Sequence, residues 1–381
     1  MTAAAVSALA PPAGIRIQGF TAELQESVRA FNGRLALQGV HFRFPDSPVS
    51  PWLPKVEGRR IYQEYFLAVD EEGSVRGAYI LKHQDFMVHG QRRSLAFFHL
   101  PLSEGLIDRR YGAVGLQLLS DALKRQPEMF VLGIGSLHEP LSRMLLAMRW
   151  RLHAVPFYFR ILRPARVARR LAYLRTSRVR RALLDCAAIT GSMWLGVKVV
   201  TAMRAERTGG NILTAVAARF GSWADAVWQQ CEGRYAMIGA RDWSTLEILY
   251  PSTDPRFIRL MIAESGVVIG WAVVLDTQMR DDKYFGNLRV GSIIDCLSTP
   301  EKSSAIVGAA VQHLRERGVD LIVSNQLAAC WCDSLKRAGF LAGPSGFLFG
   351  SSAKLTGLLR SEAALASAHL NRGDGDGPIN L

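Results

Sequence analysis

The stretch of this 381-residue chain best suited to chemistry is Asp108-Arg-Arg-Tyr-Gly-Ala-Val-Gly115, followed at once by the amphipathic run Leu116-Gln-Leu-Leu-Ser-Asp-Ala-Leu-Lys124. Ala113 and Gly115 stand three and five positions after Arg110, at the expected start of a helix. A helix start leaves several backbone N–H groups without intrahelical acceptors, and its dipole adds positive potential. Such a spot suits a pyrophosphate, and small side chains let the ligand touch backbone. The same residues also fit an ordinary helix start that happens to contain two small residues.

The elements around this loop must position it. Leu95-Ala-Phe-Phe-His-Leu100 reads as a buried strand, so the context is strand, loop, helix. Earlier, Gly73-Ser-Val75-Arg-Gly77 separates the strands expected at Tyr65–Asp70 and Ala78–Lys82. Later come a short strand at Met129–Ile134 and a helix ending in Met148-Arg-Trp150.

This order resembles the GNAT superfamily of acyl-CoA-dependent acyltransferases over residues 15–160. That family's phosphate loop is Arg or Gln, two residues, Gly or Ala, one residue, then Gly or Ala; Arg110, Ala113 and Gly115 fit it. Its hairpin turn, Gly-x-Val-x-Gly, is matched by Gly73–Gly77, and Met148-Arg-Trp150 stands where the family usually has Gly-Phe. The resemblance implies acetyl-CoA or another acyl-CoA as co-substrate. It would be held by Leu100, Leu102, Arg110, Tyr111, Gly112, Ala113, Val114 and Gly115, with no metal.

The C-terminal half repeats the plan. Gly266-Val-Val268-Ile-Gly270 begins 193 positions after Gly73, and Phe340 of Ala338-Gly-Phe340 lies 190 positions after Trp150. Between them a strand at Val290–Leu297, a helix at Ser303–Arg317, a strand at Asp320–Ser324 and a helix at Cys330–Arg337 are expected. The fold class is therefore α/β (α+β). Two GNAT-like domains are expected, each a mixed, mostly antiparallel sheet flanked by helices, joined by a basic helical connector. Their expected bounds are 15–160 and 211–357, with the connector at 161–210 and tails at 1–14 and 358–381. In the second copy the loop position reads Ser298-Thr-Pro-Glu-Lys-Ser-Ser-Ala-Ile-Val-Gly308, without the register, and Glu301 is electrostatically wrong for pyrophosphate. The co-substrate is accordingly assigned to the first domain. Arg241-Asp-Trp-Ser-Thr-Leu246, Tyr250-Pro and Asp254-Pro-Arg-Phe257 resemble the start of the second domain in tandem relatives associated with surface polysaccharide synthesis.

The chemistry that the resemblance implies is direct acyl transfer. A backbone N–H near Phe97–Pro101 would polarise the thioester carbonyl, a base would take the acceptor's proton and an acid would protonate the thiolate. The family's acid, a tyrosine in the last helix, falls on Leu145 and Leu335. Candidate bases are His99, His138, Glu139 and Glu104, with His99 first because a neutral imidazole suits an ammonium acceptor. A histidine on an apolar strand also reads as a satisfied core residue, and Glu139 before Pro140 as a helix start. Asp295, on the comparable strand of the second copy, reads as a cleft residue or a strand-end hydrogen-bonding group.

Composition agrees with a large protein of two cores: 49% of residues are hydrophobic. Five cysteines are an odd number without scaffold density, which points to a reducing cytoplasm; Cys330-Trp-Cys332 reads as helix packing, not metal binding. The Ala- and Pro-rich start lacks a basic, apolar signal pattern. The net charge is +13, and eight arginines with no acid lie between Arg163 and Arg181. The apolar run at 182–200 is interrupted by Asp185 and Lys198 and falls short of the roughly 20 residues of a spanning helix. This stretch fits the anionic inner face of a membrane, or a solvated arginine face between domains. No stacking platform accompanies it, which speaks against nucleic acid. Three readings follow. The first is an N- or O-acyltransferase acting on a small-molecule acceptor, an amino sugar or other envelope precursor. The second is a Fem-like transferase using charged tRNA, and the third a silent scaffold at the membrane. Oligomeric state is left open.

Overall fold

Long strands with two-residue alternation organise the first half of the chain in the computed structural model, which describes residues 14–170 and 211–375. They are β1 (Arg16–Gly19), β2 (Tyr62–Val69), β3 (Val75–Val88), β4 (Gln91–Ser103), β5 (Met129–Leu132) and β6 (Arg151–Ala154). Three helices join them: α1 (Gln25–Leu37), α2 (Val114–Arg125) and α3 (Pro140–Ala147). Phe66, Ala68, Tyr79 and Leu81 face one core with Val114, Leu118, Leu119 and Ala122 of α2 and Leu145 of α3. Tyr65, Leu67, Ala78 and Ile80 face the other side, against Val28, Phe31 and Leu35 of α1. The three- and four-residue spacings on both helices explain why they bury one stripe each.

A second set of elements follows β6, beginning before the midpoint of the sequence. They are β7 (Phe157–Ile161), α4 (Pro164–Arg170), β8 (Ile212–Ala217), α5 (Ser222–Cys231), β9 (Met237–Gly239), α6 (Trp243–Leu249), β10 (Ile258–Glu264) and β11 (Val267–Gln278). Then follow β12 (Arg289–Ser298), α7 (Ser303–Glu316), β13 (Leu321–Asn325), α8 (Ala329–Arg337), β14 (Leu341–Gly343) and β15 (Leu348–Ser351). The chain continues through α9 (Ala353–Leu359), α10 (Glu362–Ala366) and β16 (Ala368–His369).

The strand orders are β1-β2-β3-β4-β5-β15-β6 and β8-β10-β11-β12-β13-β7-β14, the same plan twice. In each, the sixth strand comes from the other half of the sequence. Among the described residues, one compact unit accordingly contains 14–85, Arg93–His153 and Phe349–Leu358; the other contains Phe86–Arg92, 154–170, 211–348 and 359–375. The expected bounds of 15–160 and 211–357 missed this exchange. Phe157, Phe159 and Ile161 pack against the core of Val290, Leu321 and Val323 in the second unit. Gly350 in the first unit is wedged so closely that a Cβ would lie 2.5 Å from Leu152. The tail expected from 358 is also corrected. Its described part forms α10, β16 and a 3-10 turn at Arg372–Asp374 closed by an Asn371–Asp374 capping box. The expected tail at 1–14 lies outside the described residues except for Gly14, and the connector is described only as far as Arg170.

Both repeated signatures have physical explanations. Gly73 and Gly266 take φ of +80° and +84° to turn their hairpins. Gly77 and Gly270 instead let a helix approach: a Cβ would meet Val114 of α2 at 2.7 Å in one and Ile306 of α7 at 2.7 Å in the other. Met148-Arg-Trp150 and Ala338-Gly-Phe340 close α3 and α8 with Schellman-type caps. Trp150 N–H donates to Leu145 O and Phe340 N–H to Leu335 O, both at 3.0 Å, and both rings are buried. The cap residue has φ of +62° at Arg149 and +80° at Gly339. Arg149→Gly should therefore stabilise the protein by about 1 kcal/mol, read by urea denaturation; a loss of stability would mean that the arginine makes a compensating contact.

The second unit holds a strong ionic brace. Asp276 accepts from Arg289 Nε at 2.7 Å and from Arg317 Nε at 2.7 Å. Burial opposes its ionisation, but the two guanidiniums outweigh it and hold the carboxyl below the usual carboxylate range. Its contribution is thus present above the ordinary carboxylate pKa and lost as pH falls through the lowered folded value. Asp276→Asn should cost about 2 kcal/mol at neutral pH, with the deficit shrinking below about pH 4 in pH-dependent unfolding. At the start of the basic stretch, Arg163 and Arg166 lie 3.7 and 3.5 Å from the buried Asp320 carboxylate, which anchors α4.

Candidate functional site

The site begins with an irregularity in β4. Ala96 and Phe98 face the core beneath α2, whereas Leu100 and Leu102 face the core beneath α1. The alternation therefore slips by one residue at His99–Leu100, and Leu100 has φ of +48°. Here β4 also parts from its parallel neighbour. The strands pair only at Ala96↔Met129 and Phe97↔Phe130, after which β4 runs on to Ser103. A slipped, splayed strand turns backbone groups towards a ligand. A non-glycine residue held at positive φ is the kind of strain that clusters at functional sites.

The loop after β4 sets the helix start beside this splay. Ser103 caps a turn at Glu104–Leu106 by accepting from Gly105 N–H, and Asp108 caps Arg109–Tyr111 by accepting from Arg110 N–H. Gly105 is required, since a Cβ would lie 2.6 Å from Tyr111 O. Helix α2 then starts at Ala113 with no side-chain cap. Gly115 is not required by protein packing: its φ is ordinary, and a Cβ would meet only Met144 Sδ at 3.8 Å and Ser103 Cβ at 3.9 Å. An uncapped helix start with a glycine that leaves space is what a backbone-bound phosphate needs. The Arg110 guanidinium is exposed and pairs with Asp108 at 2.7 Å.

Of the other residues named from sequence, Tyr111 stacks under the Arg76 guanidinium at 4.6 Å, and Gly112 is exposed on the loop. Val114 and Leu102 are buried, so only their backbone is available to a ligand. His99 is half-buried at the slip, its ring 5.1 Å from that of Phe97. His138 and Glu139 are exposed in the turn before α3, where Glu139 is the cap position ahead of Pro140. Glu104 is committed elsewhere: its oxygens accept from Arg34 at 2.5 Å and Arg76 at 2.9 Å. Leu145 and Leu335 are both core residues.

The equivalent splay in the second unit is filled by the chain itself. β12 and β13 pair only through Ile293↔Ser324. Beyond that point, His369 Nε2–H donates to Cys296 O at 2.8 Å and Asn371 Nδ2 to Asp295 Oδ1 at 2.7 Å. On the other side Leu327 N–H donates to Leu370 O at 3.0 Å, and Arg372 Nε to Asn325 Oδ1 at 2.9 Å. Arg241, fully buried, bridges Asp295 at 2.8 Å and Asp374 at 2.6 Å. Burial and the Asp295 carboxylate push the Tyr250 phenol well up, so it stays protonated and donates to Asp295 Oδ2 at 2.7 Å. Asp295 is thus a structural hub. The residue at the Gly115 position of α7 is Ser304, bonded to Ser334; Gly308 lies inside the helix. Cys330 and Cys332 sit on α8, and burial pushes the Cys332 thiol up to about 11. No group of three metal-ligating side chains occurs among the described residues.

No protein-family model and no curated protein matches this sequence. Solved structures do. A GCN5-related glucosamine N-acetyltransferase region of a fungal multi-domain β-N-acetylglucosaminidase matches with a TM-score of 0.51 and 15% identity, over 89% of this chain and 38% of that one. A GCN5-related N-acetyltransferase from Anabaena variabilis matches with a TM-score of 0.51 and 9% identity, over 88% and 72%. A conserved Enterococcus faecalis protein of unknown function matches with a TM-score of 0.50 and 10% identity, over 91% and 74%. The chain has the GCN5-related N-acetyltransferase fold. At these identities the likeness concerns fold alone, and this chain spans well under two thirds of the fungal one. A slip and a splay occur in both units, since β12 skips Ile294 between its Asp295↔Val273 and Ile293↔Val274 pairs, but the phosphate-loop register precedes α2 and not α7, and residues 368–374 occupy the second unit's splay.

Proposed function

We propose that this protein is an acyl-CoA-dependent acyltransferase with one acyl-CoA site per chain, in the first unit. The uncapped α2 start beside the β4 splay carries this reading. Backbone N–H groups from Ala113 to Gly115 would receive the pyrophosphate, and Arg110 would add charge. Acyl-CoA supplies an activated thioester. The displaced backbone at Leu100 would polarise its carbonyl, and His99, at the slip itself, would take the acceptor's proton. His138 and Glu139 are the reserve bases. With Leu145 buried, the thiolate leaves without a tyrosine acid.

For the acceptor we favour an amino sugar or another cell-envelope or exopolysaccharide precursor. The fungal fold neighbour is described as a glucosamine N-acetyltransferase, which supports that class. A cytoplasmic location follows from the same reading, as does a small-molecule acceptor in place of nucleic acid.

Calorimetric titration with acetyl-CoA and a longer acyl-CoA tests the proposal directly. One molecule bound per chain, with thiol release on adding glucosamine-type acceptors, is the expected result. A folded protein that binds neither would refute it and favour the tRNA-dependent transferase. His99→Ala should lower kcat by about 100-fold with acetyl-CoA affinity unchanged; unchanged turnover would remove His99 from the mechanism.

A further inference from the structure

In both hairpin motifs the residue before the closing glycine is skipped by its strand ladder. Ala68 pairs with Gly77 and Val69 with Val75, so Arg76 is a bulge residue of β3. The second unit has the same bulge: Ile262 pairs with Gly270 and Ala263 with Val268, which leaves out Ile269. A bulge re-aims the side chain that it carries. The two units thus share one re-aimed position, filled by a guanidinium in the first and by an aliphatic chain in the second.

Arg76 uses that position to join three pieces of the first unit. Its Nε donates to Asp70 Oδ2 at 2.7 Å in the hairpin turn, and its Nη1 to Glu104 Oε2 at 2.9 Å in the loop after β4. Its guanidinium carbon lies 4.6 Å from the centre of the Tyr111 ring, farther along that loop. Glu104 is buried and also accepts from Arg34 Nε of α1, whose Nη2 donates to Val75 O at 2.7 Å. After Tyr111 comes Gly112 and then Ala113, where α2 starts without a side-chain cap.

Two observations tie this network to a ligand and not to stability alone. Buried ion pairs are often no more stabilising than well-packed apolar residues, and the second unit forms the same bulge with Ile269. The network's loop partners also belong to a longer connection: residues 104–113 link β4 to α2, whereas only 299–302 link β12 to α7. That shorter loop meets its hairpin through the half-exposed Lys302–Glu264 pair, without the bulge residue. Guanidinium, buried carboxylate and longer loop therefore occur together in the unit that carries the phosphate-loop register.

We propose that Arg76 is a positioning residue for acyl-CoA. Through Glu104 and Tyr111 it holds the loop that sets the Ala113–Gly115 backbone where the pyrophosphate binds. This rests on the acyl-CoA reading above and adds the residue on which the loop's affinity depends.

Arg76→Ile, which copies the second unit's bulge residue, provides the test. Calorimetric titration with acetyl-CoA should show affinity lowered at least about tenfold. Arg76→Lys should lose less, because it keeps a charge for Glu104 but, as a point donor, cannot also span Asp70 and cover Tyr111. Without ligand, Tyr111 and Gly112 donate their N–H groups to Asp108 O and Arg109 O, and their exchange should quicken at least about threefold in Arg76→Ile. Since Arg76→Ile takes one cation from the buried Glu104, the double variant Arg76→Ile/Glu104→Gln removes the stranded charge. It too should bind at least about tenfold more weakly than wild type. Wild-type affinity in folded Arg76→Ile or in the double variant overturns the inference and leaves the acyl-CoA reading standing. A network that merely stabilises would give that result, with a lowered urea midpoint and unchanged affinity. Wild-type protein that binds no acetyl-CoA removes the reading and the inference together.

Discussion

A Gly115→Glu protein should fold normally and bind no acetyl-CoA. The structure supplies both halves of that expectation. Gly115 has ordinary helical φ, and a Cβ there would meet nothing closer than 3.8 Å, so the backbone and the first side-chain atom accept a glutamate without strain. Removing a glycine from a helix favours folding by up to about 1 kcal/mol. The new carboxylate, however, stands where phosphate oxygens would meet the Ala113–Gly115 backbone. Two like charges about 4 Å apart repel by roughly 4 kcal/mol at an effective dielectric of 20, close to a thousandfold in affinity. Arg110→Glu should weaken binding less, because that guanidinium is exposed and already shared with Asp108. Ser304→Glu, the same helix position in the second unit, should leave affinity unchanged, because residues 368–374 fill that unit's splay. Calorimetry on the three variants decides between the units. Loss of binding in folded Ser304→Glu, with Gly115→Glu intact, would reverse the assignment.

Local patterns made much of this legible in the sequence. Strands β4, β5, β12 and β13 and helices α2, α7 and α8 fall within a few residues of their expected places because each carries its own periodicity and turn residues. The two Gly-x-Val-x-Gly motifs were visible as repeats, although their division of labour between turn and helix approach depends on tertiary contacts. What the sequence hid is non-local. Nothing in Phe157–Ile161 or Leu348–Ser351 says which sheet it will join, since an apolar strand satisfies either. The slip at His99–Leu100 is marked in the sequence by Pro101, which removes a ladder donor inside β4, but a proline alone does not say on which side of it the alternation changes. The Gly-Asp alternation after Asn371 looks like a solvated tail until Arg241, 133 positions earlier, is seen to receive Asp374.

That buried ion cluster carries the second large expectation: Arg241→Met should destabilise the second unit by about 3–5 kcal/mol. The guanidinium pairs with both Asp295 and Asp374, and all three side chains are fully buried. Removing it leaves carboxylates in low dielectric, where Tyr250 and Asn371 donate hydrogen bonds but no charge. Adding Asp295→Asn to Arg241→Met should restore part of the loss, giving a double variant more stable than the sum of the singles. Urea unfolding of the four proteins, with carboxypeptidase digestion as a reporter of the Ala368–Asp374 segment, reads both effects. Strict additivity, with no change in digestion, would mean that Arg241 does not hold residues 368–374 in the splay between β12 and β13.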